Sequence, residues 1–112
     1  MSTSSERAAA NESLFRHVNE RIEDTAVRWG TTESGIEAVC ECDDLDCEGR
    51  IHLTVREYEM VRANPRQFVV LPGHQDPEFE VVEHADERYL VVRKVGEAGR
   101  AAERAEEGRE RP

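Results

Sequence analysis

Three cysteines, the only ones in the chain, fall within the eight positions of "CECDDLDC", as Cys40, Cys42 and Cys47. On a flat strand, the first two side chains would project from one face about 6.6 Å apart. Two thiolates on one zinc ion lie only about 3.8 Å apart, because each Zn–S bond is about 2.3 Å long. We therefore predict that the chain curls at Glu41, and that residues 43–46 turn it back to bring Cys47 to the same metal ion.

Acidic residues fill most positions between the cysteines, namely Glu41, Asp43, Asp44 and Asp46. Nearby carboxylates raise the pKa of a thiol and weaken it as a free nucleophile. A divalent cation has the opposite effect, because it deprotonates the thiols that bind it. Cysteines can also serve as small buried apolar residues, but such cysteines are not usually interleaved with acids. The pattern therefore favours a cation site, and we predict Zn²⁺ as the ion.

A closed zinc site needs a fourth ligand, and we predict His74. The dipeptide Pro72-Gly73 favours a tight turn that would project the imidazole, and a helix over residues 54–63 can fold back to bring this turn near the cysteines. His52 is nearer in the sequence but falls in a predicted strand. The other candidates that the sequence leaves open are His17, His84, a carboxylate such as Asp44, and water.

The same residues allow three other kinds of site. A thiol redox sensor would release zinc on oxidation, and an open coordination position would permit metal-dependent catalysis. An iron–sulfur cluster is the third, since "CxC" followed by "CEGRIH" is partly similar to the CDGSH iron–sulfur proteins, although the spacing differs. Neither a phosphate-binding glycine loop nor an HExxH motif is present. We therefore predict no catalytic residue and expect that the protein is not an enzyme.

The charge of the chain limits its partners. It has 25 Asp and Glu against 15 Lys and Arg, a formal net charge of −10. An acidic surface repels phosphate backbones, so we expect no binding to nucleic acid and favour a protein partner with a basic surface. The sequence leaves the oligomeric state open.

Two features favour a cytoplasmic protein that does not bind membranes. No apolar run approaches the roughly 20 residues of a membrane-spanning helix, and the N-terminal residues lack the pattern of an export signal. An odd number of cysteines also argues against a disulfide framework.

The apolar pattern predicts an α+β fold, in which two helices pack on a small antiparallel sheet with a zinc-knuckle-like loop. Residues 11–95 are expected to form this single domain, between a disordered tail (1–10) and a flexible or frayed-helical charged tail (96–112). The first helix is predicted over 12–28, and the second follows a capping box at Thr54 and Glu57. The predicted strands are a segment from Ile36 to the cysteines, Arg50–Leu53, and residues 67–71, 78–83 and 88–95, of which the last two form a hairpin.

On the first helix, apolar residues recur four and seven positions apart, which predicts one buried face. The residues with this spacing are Leu14, Phe15, Val18, Ile22, Ala26 and Trp29. We accordingly expect Trp29 in the core and His17 at the surface.

The chain resembles a group of small, mainly actinobacterial proteins of uncharacterised function. The resemblance is carried by "NESLFRHVNERI", "VCECDDLDC", "LTVREYEMVRANPRQFVVLPGHQDPEFEVV" and "YLVVRKVGEAG", and it extends from about Asn11 to Gly99. Members commonly read "CECGDPDC" at the cluster, from which residues 44–45 depart without changing a cysteine. The resemblance implies no particular activity. It implies one functional unit that comprises Cys40, Cys42, Cys47 and His74.

Overall fold

The structure is a computed structural model that describes residues 4–30, 35–42, 44 and 46–109. Three helices and two small antiparallel sheets form an α+β arrangement in this part of the chain, which confirms the predicted fold class. The helices are α1 (Ser4–Trp29), α2 (Val55–Arg62) and α3 (Gly96–Arg109). The strands are β1 (Ile36–Val39), β2 (Arg50–Leu53), β3 (Gln67–Val70), β4 (Glu80–Ala85) and β5 (Leu90–Lys94).

The first sheet is a hairpin that carries the cysteines in its loop. Strand β1 pairs antiparallel with β2, with Ile36 opposite Leu53 and Val39 opposite Arg50. The ladder extends by one more bond, because Cys40 N–H donates to Gly49 O at 3.0 Å. The strand therefore ends where the cysteines begin, as the sequence predicted.

The second sheet has the strand order β3-β5-β4, and both pairings are antiparallel. The β4–β5 pair is the predicted hairpin, with a bulge between Val82 and His84. Helix α2 connects the two sheets and begins at the predicted capping box. The Thr54 hydroxyl accepts from Glu57 N–H at 3.0 Å, and Thr54 N–H donates to the Glu57 carboxylate at 2.8 Å. Strand β3 leads directly into the turn that carries His74.

The core-facing side of helix α1 agrees only in part with its apolar spacing, since Ala26 is buried and Ile22 packs against the core as predicted. Arg16 and Asn19 are buried, whereas Leu14, Val18 and Trp29 are exposed, and Trp29 keeps 75% of its surface accessible. The prediction that Trp29 lies in the core was wrong. The buried polar pair explains the difference, because Arg16 donates to backbone carbonyls before and within β3, and Asn19 bonds to β1. These hydrogen bonds fix the docked face, and apolar periodicity does not detect them.

Both ends of the chain carry more helix than predicted. Helix α1 begins at Ser4, so residues 4–10 of the expected tail are helical, and the Ala-rich sequence there has high helix propensity. Helix α3 packs against α1 and buries Ala98 and Ala102, which favours the helical alternative for this segment. Gly99 allows α3 to lie close to the end of β5, because a Cβ at that position would lie 2.8 Å from Lys94 O. Residues 1–3 and 110–112 lie outside the described residues. Within the described residues, no helix combines the length and apolar character needed to cross a membrane.

A buried ion pair lies in the second sheet. Lys94, the only lysine in the sequence, places Nζ 2.5 Å from Glu80 Oε2. The two side chains are 1% and 2% exposed. Glu80 Oε1 also accepts from Asp76 N–H at 2.7 Å. The carboxylate is therefore compensated by a full positive charge and a backbone donor.

Candidate metal centre

The structure brings together the four residues predicted as ligands. One ligand atom from each lies within 4.8 Å of the other three, in the cluster Cys40, Cys42, Cys47 and His74. The three cysteines come from the β1–β2 loop, and the histidine comes from the turn after β3. The first two cysteines are buried, the third is half-buried and the imidazole is exposed. A bound ion would therefore lie at the edge of the core, with one side toward solvent.

The position of His74 fits a ligand of a tetrahedral ion. Its Nδ1 atom lies 3.5 Å from Cys47 Sγ and 3.7 Å from Cys40 Sγ. Bonds of about 2.3 Å to sulfur and about 2.05 Å to nitrogen separate the two ligand atoms of a tetrahedral zinc by about 3.6 Å. The cluster thus has the dimensions of a site for a single ion.

The loop that carries the cysteines is fixed by backbone hydrogen bonds. Cys47 N–H donates to Asp44 O at 3.0 Å, which turns the chain back after the first two cysteines. The Asp44 carboxylate accepts from Asp46 N–H at 2.9 Å within the same turn. At the exit of the loop, a Cβ on Gly49 would collide with the side chain of Leu71. Glycine therefore lets the loop lie against the segment that leads to His74.

The turn that carries His74 is the predicted Pro-Gly turn. His74 N–H donates to Leu71 O at 2.9 Å, and Gly73 has a φ of 89°. Proline at the second position and a glycine with positive φ at the third are typical of a type II turn. A residue with a side chain would be strained at Gly73. The turn therefore places the imidazole over the sulfur atoms.

Backbone donors and hydrogen bonds within the cluster favour thiolates. Leu71 N–H donates to Cys40 Sγ at 3.2 Å, and Gly49 N–H donates to Cys47 Sγ at 3.4 Å. A hydrogen bond from Cys40 lowers the pKa of Cys42 to about 5, and the same hydrogen bond raises the pKa of Cys40. Burial raises the pKa of Cys47. These hydrogen bonds favour a thiolate at Cys42, whereas a divalent ion would deprotonate all three thiols.

The other three histidines lie elsewhere. His52 projects from β2, and its Nδ1 lies 3.0 Å from the Glu37 carboxylate. His84 Nε2 is 3.5 Å from Asp86 Oδ2, and His17 is exposed on α1. None of these imidazoles belongs to the cluster that the described residues form.

Glu41 has a place that the sequence reasoning missed. It was grouped with the acids around the cysteines, but its side chain is 0% exposed and points into the core. Its carboxylate accepts from Asn19 Nδ2 at 2.9 Å, Tyr58 Oη at 2.7 Å and Val69 N–H at 3.0 Å. Burial and the adjacent carboxylate raise the pKa of Tyr58, so its hydroxyl stays protonated. The signal was the strand alternation, because a residue between two cysteines that face one ion must face the other way.

Comparisons with protein-family models, curated proteins and solved structures gave no match to this chain. The resemblance given above therefore stays a prediction. The fold and the cluster define a small α+β protein whose three cysteines and one histidine lie close enough to bind a metal ion.

Proposed function

We propose that this protein is a zinc-binding domain in which Cys40, Cys42, Cys47 and His74 close a structural site. The observation that carries the proposal is the position of His74 Nδ1, at 3.5 and 3.7 Å from two sulfur atoms. These distances match the edges of a zinc tetrahedron. The two segments that meet there are separated along the chain by β2, α2 and β3.

The ligand set favours zinc over other ions. Thiolate and imidazole ligands in a tetrahedral arrangement are typical of Zn²⁺, whereas Mg²⁺ and Ca²⁺ prefer oxygen. Three thiolates, a neutral imidazole and Zn²⁺ sum to a charge of −1, which the two backbone N–H donors to sulfur help to stabilise. A two-iron cluster would hold its two pairs of ligands farther apart than a single ion does. Protein ligands fill all four positions, which supports a structural role instead of a catalytic one.

The ion would connect two parts of the fold that lie far apart along the chain. It would join the β1–β2 loop to the turn that follows β3. Because a preformed site does not exist in the unfolded chain, the free energy of metal binding would stabilise the folded state. Such stabilisation matters in a domain of this size, where the apolar core is small.

The biological role that we propose is binding of another protein in the cytoplasm. Reduced thiols persist in that compartment, and the net charge of −10 favours a partner with a basic surface. The exposed imidazole places one side of the metal site at the protein surface, where a partner can contact it.

Metal analysis of the purified protein tests the proposal. We expect about one zinc per chain, no colour, and, after exchange with Co²⁺, the intense visible bands of a tetrahedral thiolate complex. His74→Ala should weaken zinc binding in a competition with a chromogenic chelator, and His52→Ala, an exposed histidine outside the cluster, is the matched control. Protein without metal, brown protein with iron, or equal effects of the two histidine variants would contradict the proposal.

Release of zinc on oxidation is the alternative function, and the partial exposure of Cys47 favours it. In that reaction peroxide would oxidise two thiolates to a disulfide and be reduced to water, which leaves too few ligands to hold the ion. A zinc-sensitive dye would then report a release of zinc that increases with the amount of peroxide added. Zinc retained under conditions that oxidise free thiols would rule out this alternative.

A further inference from the structure

We propose that Glu41 is a positioning residue, which holds the two ligand-bearing segments in register and links the metal centre to helix α1. This inference rests on the proposed zinc site. Glu41 lies between the first two ligand cysteines, its side chain is fully buried, and it contacts no ligand atom itself.

Glu41 first fixes the loop against β3. Its N–H donates to Val69 O at 2.8 Å, and its carboxylate accepts from Val69 N–H at 3.0 Å, so one residue satisfies both backbone groups of Val69. Two residues further along, Leu71 N–H donates to Cys40 Sγ, and Leu71 O accepts from His74 N–H. The bonds to Val69 therefore set where the cysteines lie relative to the turn that carries the histidine.

Asn19 attaches helix α1 to the same loop. Its side-chain amide pairs with Val39 as a neighbouring strand would, since it accepts from Val39 N–H at 2.7 Å and donates to Val39 O at 2.9 Å. The same Nδ2 donates to Glu41 at 2.9 Å. Helix α1 thus holds the residues on both sides of Cys40, although it supplies no ligand.

The third donor comes from helix α2, through Tyr58 Oη at 2.7 Å. One carboxylate therefore accepts hydrogen bonds from α1, α2 and β3. All three donors are neutral, and each would lose a buried partner if the carboxylate were removed or displaced. Leaving buried donors unsatisfied is unfavourable, so these contacts keep Glu41 in a single position.

Metal binding and docking of α1 are consequently linked. An ion on Cys40 and Cys42 orders the residues that Asn19 and Glu41 hold, and docking of α1 preorganises the same residues for the ion. Linkage of this kind is reciprocal, so weakening either interaction weakens the other. The docking of helix α1 would therefore depend on whether the site holds a metal ion.

Zinc affinity of full-length variants, measured by competition with a chelator, tests the inference. In Glu41→Gln one acceptor oxygen becomes an NH2 group, which must face either Val69 N–H or the donors of Asn19 and Tyr58. We therefore expect zinc to bind at least about tenfold more weakly, the range seen when residues that orient ligands are replaced. Tyr58→Phe removes one hydroxyl and is the milder variant, with a smaller loss. The Co²⁺ spectrum of both should shift, because the ligand geometry relaxes.

Glu80→Gln is the matched control. It replaces a similarly buried glutamate that also accepts a backbone N–H, but in the other sheet, with Lys94 and Asp76 as its partners. We expect it to lower the stability of the fold and to leave zinc affinity and the Co²⁺ spectrum unchanged. If both glutamine variants weaken zinc equally, or neither does, the inference is wrong. If the unmodified protein binds no zinc, the proposed function fails instead.

Discussion

The two sheets bury a glutamate in different ways. Beside the β1–β2 hairpin, the Glu41 carboxylate accepts hydrogen bonds from three neutral groups, those of Asn19, Tyr58 and Val69. In the three-stranded sheet, Glu80 is paired with Lys94 and the pair is neutral. A carboxylate that is buried among hydrogen-bond donors depends on those donors being in place. The hairpin side is therefore the part that needs a further stabilising element, and a metal ion that orders the neighbouring cysteines would supply it.

The two sheets also differ in their apolar packing, and the hairpin again has the weaker support. The hairpin has two strands of four residues each, and such a hairpin is marginally stable by itself. The other sheet has three strands, with a buried apolar group at most positions of β3 and β5. We therefore expect the hairpin to depend more than the three-stranded sheet on its ties to α1 and to the turn that carries His74.

Removal of the metal should give the largest loss of stability, and the two sheets should respond to it differently. With chelator present, we expect amide hydrogen exchange to increase in β1, in β2 and around Asn19, while β3 and β5 keep their protection. The loss of stability should exceed about 4 kcal/mol when zinc had been about a thousandfold above its dissociation constant. Equal loss of protection in both sheets would show that they unfold as one unit and would break the comparison.

Lys94→Met should give the next largest loss of stability, and this loss should be confined to the three-stranded sheet. The substitution leaves Glu80 buried without its counter-charge, and breaking a buried pair in this way costs about 3–5 kcal/mol. Urea unfolding should show the loss, while zinc content stays at that of the unmodified protein. Arg100→Met, which removes an exposed pair with Glu97, is the control and should leave stability nearly unchanged. Loss of zinc from Lys94→Met would show that the two sheets are not independent.

Glu23→Gln should give the smallest change in stability. It adds a third carboxylate to the comparison of Glu41 with Glu80. Burial raises the pKa of Glu23 from 4.5 to about 7, and the nearby Glu59 carboxylate adds to the increase. The folded state therefore binds this proton more tightly than the unfolded chain, and stability is lost as the pH rises from 4.5 to about 7. The group is only half-buried, so we expect a contribution of about 1 kcal/mol.

The measurement for Glu23 is urea unfolding at about pH 5 and about pH 8, with zinc in excess for both proteins. Zinc affinity itself depends on pH, so the informative quantity is the difference between the variant and the unmodified protein at each pH. The variant should be more stable at the higher pH and nearly equal at the lower one. If the variant is more stable than the unmodified protein by the same amount at both pH values, the assigned titration of Glu23 is wrong.

Signals that act over a few residues made much of the fold predictable. The capping box fixed the start of α2, the Pro-Gly pair fixed the turn, and the change from alternating apolar residues to cysteines fixed the end of β1. The candidate ligands followed from residue chemistry and from the turn that presents His74. Each of these inferences depends on neighbours in the sequence, and the structure places each element where its local signal put it.

Interactions between distant segments were not predictable in this way. The docked face of α1 is selected by Arg16 and Asn19, whose partners lie in β1 and around β3. Apolar spacing alone selected a face that includes the exposed Trp29. Helix α3 was left undecided because the apolar residues that it buries in its described part are the small Ala98 and Ala102, and alanine carries little apolar signal.

The burial of Lys94 gives the protein a built-in chemical probe. Amine-reactive reagents modify accessible lysines, and here the one lysine side chain is 1% exposed in the folded state. Labelling at that position would therefore be slow until the three-stranded sheet opens, and its rate would measure that opening. Coupling chemistry aimed at lysine would in turn select unfolded molecules over folded ones.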